Sequence, residues 1–358
     1  MQSKLCGAWL LSTSVGVLGL ISYGGYTRLK KAGLSMVEWK PLNVSFPRSV
    51  EAWESEYNLY KQYPEYQQTE VTLEEFKSIY TIEYNHRLYA RTMGLYLVIP
   101  MSVFWYKGLI PSALKPRLLA ITGLFGLQGA IGWLMVKSGL QNKEYDGRVK
   151  VEPINLATHL ICGVSLYSII FSTALNCLRT PPEKLIKSSA EYFSRAKGRK
   201  LYMGLLHLSL VTVFSGALVA GSDAGKIMTN WPWYGDSYFY PLQAFSSSPL
   251  YVDLVQNRES IQFVHRNLAY LTYFCAGNLL MFYRKTEGKV PGVFNAWLVF
   301  GLASLQIALG IRALYSNSGF DESLMHQANG LLYLTSILYG LNTLRRPNRA
   351  FINKILGN

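Results

Sequence analysis

Four of the five histidines of this chain, His86, His159, His265 and His326, each open an apolar segment. Imidazole is rare and costly inside hydrocarbon, and where it occurs it marks function, axial ligation of haem iron included. Four of them at one depth, at the starts of alternate apolar segments, read as two pairs of axial ligands, so the chain is expected to hold two haems. The fifth, His207, lies within another apolar run with no partner at its depth and reads as a packing or hydrogen-bonded residue.

The elements that position these histidines follow from composition. Half of the residues are hydrophobic and 16% are charged. The apolar residues gather into runs of about the ~20 residues that cross a bilayer core. Eight such runs occur: 5–25, 86–105, 118–136, 156–178, 202–220, 263–282, 294–314 and 325–341. Internal glycines, and Pro100 in the second run, are tolerated in spanning helices. An all-α integral membrane protein with eight transmembrane helices is expected. One set of segments (the N-terminus, 107–117, 179–200, 284–289 and 344–358) carries 18 basic and 3 acidic residues, and the remainder 17 basic and 18 acidic. That asymmetry places both termini inside and accounts for the net charge of +14 by topology, so no nucleic-acid partner is expected. The histidines then begin the second, fourth, sixth and eighth helices, near the outer surface.

The chain repeats itself. Glu83-Tyr-Asn-His86-Arg87 has a counterpart in Gln262-Phe-Val-His265-Arg266. Leu127-Gln128-Gly-Ala-Ile-Gly132 has one in Leu305-Gln306-Ile-Ala-Leu-Gly310. Two four-helix bundles are expected, residues 1–178 with a long outer loop 26–85 and residues 201–358, joined by a basic inner linker 179–200. His86 would pair with His159 and His265 with His326. Glu83 and Gln262 each precede a histidine by three residues, on the same helix face. A carboxylate there can move protons or stabilise developing positive charge, which an amide cannot. The first half is therefore expected to be the reactive one and the second the electron carrier; the other reading of Glu83 is a helix cap or an ion pair with Arg87. Arg87, Arg91, Arg266 and Arg312 near the outer ends would either fork onto haem propionates, Arg87 and Arg266 foremost, or snorkel to lipid headgroups.

At these words the chain resembles the heme A synthase family. The resemblance rests on Gly24-Gly25-Tyr-Thr27-Arg28, on Ser35-Met-Val-Glu-Trp39-Lys40-Pro41 and on Lys61-Gln-Tyr-Pro64-Glu65-Tyr66. It continues through Glu75-Phe76-Lys77, Glu83-Tyr-Asn-His86-Arg87, Gln128 to Leu140 and Leu156-Ala-Thr-His159-Leu160. The second half adds Gly216 to Gly225, Gln262-Phe-Val-His265-Arg266 and His326-Gln327, so the words run in order through nearly the whole chain. The resemblance implies oxidation of the C8 methyl of haem O to a formyl group, giving haem A. Haem O would bind near Glu83, His86 and His159, and a resident haem B on His265 and His326 would pass electrons from a ferredoxin and its reductase. Haem O synthase and oxidase assembly factors join the implied partners beside the lipid bilayer, and small interhelical residues permit a homo-oligomer. The resemblance also implies a mitochondrial inner membrane, with a bacterial plasma membrane as alternative.

Two positions depart from the family's pattern: Ala90, where glycine is usual, and Asn329, where small apolar residues are common. Cys6, Cys162, Cys177 and Cys275 all fall within apolar runs, so no disulfide framework is expected. Outer loops 26–85 and 221–262, rich in Trp and Tyr, are expected to fold as caps over the two sites. No transit peptide is visible ahead of the first run, which leaves a removed presequence or internal targeting. The rival readings are a di-haem electron carrier of the cytochrome b type and a haem O or haem A carrier. Electrons from an inner donor would have to cross most of the bilayer, and the sequence shows no relay.

Overall fold

The computed structural model describes residues 2–39, 45–141, 144–145, 147–235, 245, 249–286 and 291–356. Among them eight helices exceed twenty residues: α1 (Gln2–Leu29), α4 (Leu73–Tyr106), α5 (Lys115–Gly139), α6 (Pro153–Leu178), α7 (Ser189–Ser222), α9 (Arg258–Lys285), α10 (Val293–Tyr315) and α11 (Phe320–Thr343). Shorter helices are α2 (Val50–Tyr60), α3 (Pro64–Thr69), α8 (Tyr251–Gln256) and α12 (Arg349–Leu356), and a small hairpin pairs β1 (Glu144–Tyr145) with β2 (Arg148–Val149).

Five of the long helices, α1, α5, α6, α7 and α10, are long and apolar enough to cross a membrane. Large apolar side chains face outward on the long helices, including Leu95, Ile99 and Val103 on α4, Leu119 and Leu127 on α5, and Phe294 and Trp297 on α10. In water such surfaces would drive aggregation, whereas hydrocarbon solvates them. The chain is an all-helical, multi-pass membrane protein.

The helices outrun the apolar segments that announce them. The α4 helix starts thirteen residues before His86, capped by a reciprocal pair in which the Thr72 hydroxyl accepts from the Glu75 amide and Glu75 accepts from Thr72. At about 1.5 Å per residue α4 is roughly 50 Å long, well beyond a hydrocarbon core of about 30 Å. Hydropathy marks only the part of a helix that meets lipid; the polar turns beyond it are held by caps and by the packing of loop residues. His86 therefore lies inside its helix rather than at its start. Similarly, α7 begins at the Ser188 cap and carries its first thirteen residues ahead of the apolar run.

Packing arranges each half as a four-helix ring, closed in the second half and open between α4 and α5 in the first. In the first, α1 packs on α4 and α6, and α5 on α6, with only slight contact between α4 and α5. In the second, α7, α9, α10 and α11 each pack on two neighbours around the ring, and α9 meets α10 closely. Across the halves α6 lies on α7, α1 on α11 and α6 on α11, the set that exchanges with itself when the two rings are swapped. Leu331, Leu334 and Leu338 of α11 join the core of the first half. A separate aromatic core of Tyr60, Phe76, Tyr80 and Met36, flanked by Trp53, Tyr57 and Tyr66, builds a folded cap from α2, α3 and the outer part of α4. The described part of the 26–85 loop is thus a packed cap. Within it Tyr60 donates to Glu65, and burial pushes the Glu65 carboxyl up to about 7. Residues 40–44 and most of 236–248 lie outside the described residues.

The helix ends nearest the four histidines are tied together at Asp223, which ends α7 in a left-handed conformation with φ 57°. Its carboxylate meets Lys150 and Arg148 at 3.0 Å, Lys226 at 3.1 Å and Arg28 at 3.9 Å, joining α1, the hairpin and α7. Burial alone would raise this carboxyl, but the Lys150 ammonium and the Arg28 guanidinium prevail and hold it down at about 2. A depressed folded value against about 3.9 for a free Asp means that the stabilisation is complete above about pH 4 and is lost as pH falls toward 2. Thermal unfolding of Asp223→Asn in detergent should show a Tm several degrees below the parent at pH 7, with the gap closing as pH approaches 2 to 3.

Candidate functional site

Each of the four histidines is seated against a glycine of a neighbouring helix. A Cβ built on Gly24 of α1 would stand 3.2 Å from the His86 ring on α4, and one on Gly132 of α5 would stand 2.9 Å from the His159 ring on α6. In the second half Gly216 of α7 backs His265 of α9 with the same 2.9 Å, and Gly310 of α10 backs His326 of α11 with 3.1 Å. At Gly132 and Gly216 such a distance leaves no room for a Cβ, and at Gly24 and Gly310 it is tight enough that the ring would have to shift, so at these four positions the absence of a Cβ lets a ring pack close to helix backbone. The adjacent Gly25 serves a second purpose, because a Cβ there would overlap the amide of Gln327, whose Nε2 donates to the Ile21 carbonyl at 3.1 Å across the two halves.

The rings pair within each half. His86 lies within electrostatic reach of His159, and His265 of His326. Their surroundings repeat with changes. The Gln128 amide donates to the His159 backbone carbonyl at 2.9 Å and stands 3.4 Å from Nε2 of the same ring. Gln306 does likewise for His326, with contacts of 3.1 and 3.2 Å to the ring nitrogens and 3.1 Å to the carbonyl. On the other member of each pair the halves diverge: the Ser215 hydroxyl bonds Nδ1 of His265 at 2.9 Å, whereas Tyr23 stacks on His86 with ring planes 14° apart. Nδ1 of His86 and Nδ1 of His159 are buried without a hydrogen-bond partner. Buried polar nitrogens rarely go unpaired, and a group entering between the rings is one way to complete them.

The residues flanking the ligand candidates hold the outer loops. Glu83 is 3% exposed and both its oxygens are engaged. Oε2 accepts from the Ser35 hydroxyl at 2.6 Å and the Met36 amide at 3.0 Å, and Oε1 from Arg87 at 2.5 Å. Of the two alternatives to a reactive role, the ion pair with Arg87 is present and the helix cap is not. Arg87 also donates to the carbonyls of Met36 and Glu38. In the second half the Gln262 amide donates to the Ile227 carbonyl at 2.7 Å, and Arg266 donates to the carbonyls of Trp233, Asn230 and Met228. The terminal nitrogens of Arg87 and Arg266 thus grip loop backbone. Arg28 and Arg266 each keep a buried Nε without an acceptor, in keeping with an anionic group beside them. Arg312 is paired with Glu322 at 3.4 Å, and His207 bonds the Met203 carbonyl at 2.7 Å on an exposed helix face.

The residues that fit a haem are therefore two imidazoles per half, glycine-backed, with an orienting amide on one ring and cationic groups at the neighbouring helix ends. The four glycines, Gln128, Gln306 and Ser215 complete a set in which sequence reading had singled out the histidines. Their signal lay in the repeated words, since Gln128 and Gly132 occupy the same places as Gln306 and Gly310, but a repeat does not say which partner a residue touches. Substituting Gly216 or Gly310 by Val should displace the adjacent imidazole and cost about 1–3 kcal/mol of stability. Titration of the purified protein with a ferric porphyrin should show a low-spin bis-imidazole spectrum for the parent at full occupancy and the loss of one site in either variant.

Comparison with known proteins identifies the family. The COX15-CtaA family model, described as cytochrome oxidase assembly protein, matches residues 7–338. Heme A synthase COX15 of Arabidopsis thaliana is 36% identical over 98% of this chain and 77% of its own length, and that of Homo sapiens 36% over 96% and 83%. The bacterial heme A synthase of Chelativorans sp. is 36% identical over 91% of this chain and 87% of its own length. With a family match through both histidine pairs and relatives of this identity along nearly all of its length, the chain belongs to the COX15-CtaA family of cytochrome oxidase assembly proteins.

Proposed function

We propose that the chain is a heme A synthase, which oxidises the C8 methyl of haem O to a formyl group and so supplies haem A for cytochrome oxidase. The observation that carries this reading is the pair of glycine-backed dihistidine sites that differ three residues before the first histidine of each, with a buried carboxylate in the first half and an amide in the second. Two identical electron-carrying sites would give no reason for that difference. Heme A synthases of plants, animals and bacteria align through both sites.

In this reading haem O is the substrate of the first half, residues 1–178, between His86 and His159, and haem B is the resident cofactor of the second half, residues 201–358, on His265 and His326. The bound haems supply redox chemistry that side chains lack. The chain does the rest. The four imidazoles fix the two sites near the outer surface, and Gln128 and Gln306 hold one ring in each. Glu83, under the aromatic cap and three residues from His86, stabilises positive charge and accepts protons at the outer edge of the substrate site, while Arg87 keeps its oxygens oriented. The cap over α4 limits water. Arg28 and Arg266 take acidic groups at the outer ends. Eight spans with both termini on the basic inner side agree with the charge distribution, and α12, with Phe351 and Ile352 beside Arg349, suits the inner membrane surface. We assign the chain to the mitochondrial inner membrane, with a ferredoxin and its reductase as electron source and oxidase assembly factors as partners.

Glu83→Gln keeps the size of the side chain and removes its charge. It should lower haem A output by at least about tenfold, the lower range of a lost acid–base or charge-stabilising group, while histidine-bound haem in the second half stays unchanged. Chromatography of extracted haems from cells that make haem O checks this, and unchanged haem A would remove Glu83 from the reaction.

A further inference from the structure

The ring of the first half has a window between α4 and α5. The two helices meet near the chain that joins them, where the Phe125 ring stands 3.2 Å from a Cβ built on Gly94 and the Thr122 hydroxyl lies 3.5 Å from Met101 Sδ. Gly129 follows Thr122 by seven residues and Phe125 by four, so it continues the face of α5 that meets α4. A Cβ built there would find nothing within 4 Å among the described residues. Three residues further on, Gly132 backs the His159 ring, and His86 belongs to α4 itself, so the two imidazoles flank the window. Above Gly129 a strap of chain, residues 35–39, bridges the helices. The Met36 amide donates to Glu83 and the Met36 and Glu38 carbonyls accept from Arg87, which fastens the strap to α4, and Trp39 lies on Trp133 of α5 with ring centroids 5.2 Å apart. Phe125 and Trp133 are eight residues apart on α5, so the window stands about 12 Å high.

The second half shows the same frame shut. With His86 laid on His265 and Gly132 on Gly310, Gly94 falls on Tyr273, Thr122 on Phe300, Phe125 on Ala303 and Gly129 on Ile307. Tyr273 of α9 and Phe300 of α10 stack with centroids 5.3 Å apart, and Ala303 is buried in one core with Ala276, Leu279 and Leu280 of α9. Ile307 stands where Gly129 leaves space. A strap crosses here as well, since Arg266 of α9 donates to the Trp233 carbonyl and Tyr315 of α10 to the Trp231 carbonyl at 2.8 Å. Phe125 is larger than Ala303 and makes the contact at Gly94, so the halves differ in the stretch between that contact and the strap. The window opens among apolar, outward-facing side chains, Leu95 and Ile99 of α4 and Leu127 of α5, and α5 is the least buried of the five apolar spans. On the aqueous side of α4 stands the packed core of Tyr60, Phe76 and Tyr80.

We propose that the window between α4 and α5 is the passage by which haem O reaches the first-half site from the bilayer and by which haem A leaves it. The proposal rests on the substrate assignment made above. Haem O carries an isoprenoid chain, which partitions into hydrocarbon, and a passage within the apolar run of α5 spares that chain any contact with water. Entry from the aqueous side would expose the chain and unpack Tyr60, Phe76 and Tyr80. A side opening requires neither. At its inner end wait the two imidazoles whose Nδ1 atoms are buried without a partner among the described residues. The closed seam of α9 on α10 suits a group that stays. A passage is distinguishable from a binding contact by its kinetics: narrowing it slows entry and exit by the same factor and leaves the affinity unchanged.

The test uses the full-length protein, purified from cells that make no haem O and placed in phosphatidylcholine vesicles, to which haem O is added. Uptake is read from the growth of the low-spin bis-imidazole spectrum, and exit from its decay when loaded vesicles meet an excess of protein-free ones. Gly129→Ile puts into the window the residue that the second half carries at that place, where a Cβ has room. Both rates should fall at least tenfold, with the final spectrum and occupancy of the parent. Gly129→Cys labelled with benzyl methanethiosulfonate should behave alike and recover when dithiothreitol removes the label, the labelled parent serving as control for the four native cysteines. Gly123→Ile changes a glycine four residues from both Leu119 and Leu127, on the lipid face of the same helix, and should keep the parent's rates. Parental rates in both Gly129 variants, equal slowing in Gly123→Ile, or lost occupancy with parental entry would overturn the passage. A lipid chain or a second copy of the protein seated in the window would give the first of these results. A parent whose first half takes up no haem O would instead remove the substrate assignment, and the passage with it.

Discussion

Everything in this molecule depends on bringing an imidazole to rest on the bare backbone of the next helix. The rings of His86, His159, His265 and His326 occupy space that a methyl group on Gly24, Gly132, Gly216 or Gly310 would fill. Glycine is a weak helix former in water, but a spanning helix has no water to exchange for its hydrogen bonds and tolerates it. The glycines thus set helix separation, the separation sets ring position, and ring position makes each half a dihistidine site. Gly25 extends the same device across the halves by admitting Gln327, the residue that follows a ligand candidate, into α1.

Around that shared frame the halves differ in ways that follow the division of labour proposed for them. The first carries Glu83 and Arg87 clamped beneath a tyrosine-rich cap, and its α4 and α5 barely touch. The second carries Gln262 and Arg266 gripping a loop, closes α9 on α10, and lines its interior with Asn329, Tyr333, Asn295 and Tyr202. A site that exchanges a substrate is served by a loose ring and a titratable group. A site that keeps its cofactor is served by a closed ring.

The architecture was legible in the sequence to the extent that hydrophobicity encodes it. Apolar runs coincide with the eight long helices, and the doubled His-Arg words are the signal from which two halves are proposed. Their ends were not legible, because the polar turns 73–85 and 189–201 stay helical through the Thr72 and Ser188 caps and through cap packing, which hydropathy does not register. The four histidines stand out because imidazole is so unusual in apolar segments, and the structure sets each against a glycine of a neighbouring helix. Gln128, Gln306 and Ser215 could not be assigned partners, since amides and hydroxyls are ordinary in helices and only the fold shows which ring they meet. Glu83 was visible by its spacing to His86, but its engagement with Ser35 and Met36 depends on a loop nearly fifty residues away.

The central claim is that two dihistidine sites hold different haems, one a substrate and one a cofactor. The measurement that tests it most directly is extraction and chromatography of the haems from His86→Ala and His265→Ala proteins purified from cells that make haem O, beside reduced-minus-oxidised spectra. Loss of haem O and haem A with haem B retained in His86→Ala, and loss of haem B in His265→Ala, is the predicted result. Haem B in both sites, lost by half in each variant, would contradict it and make the protein an electron carrier.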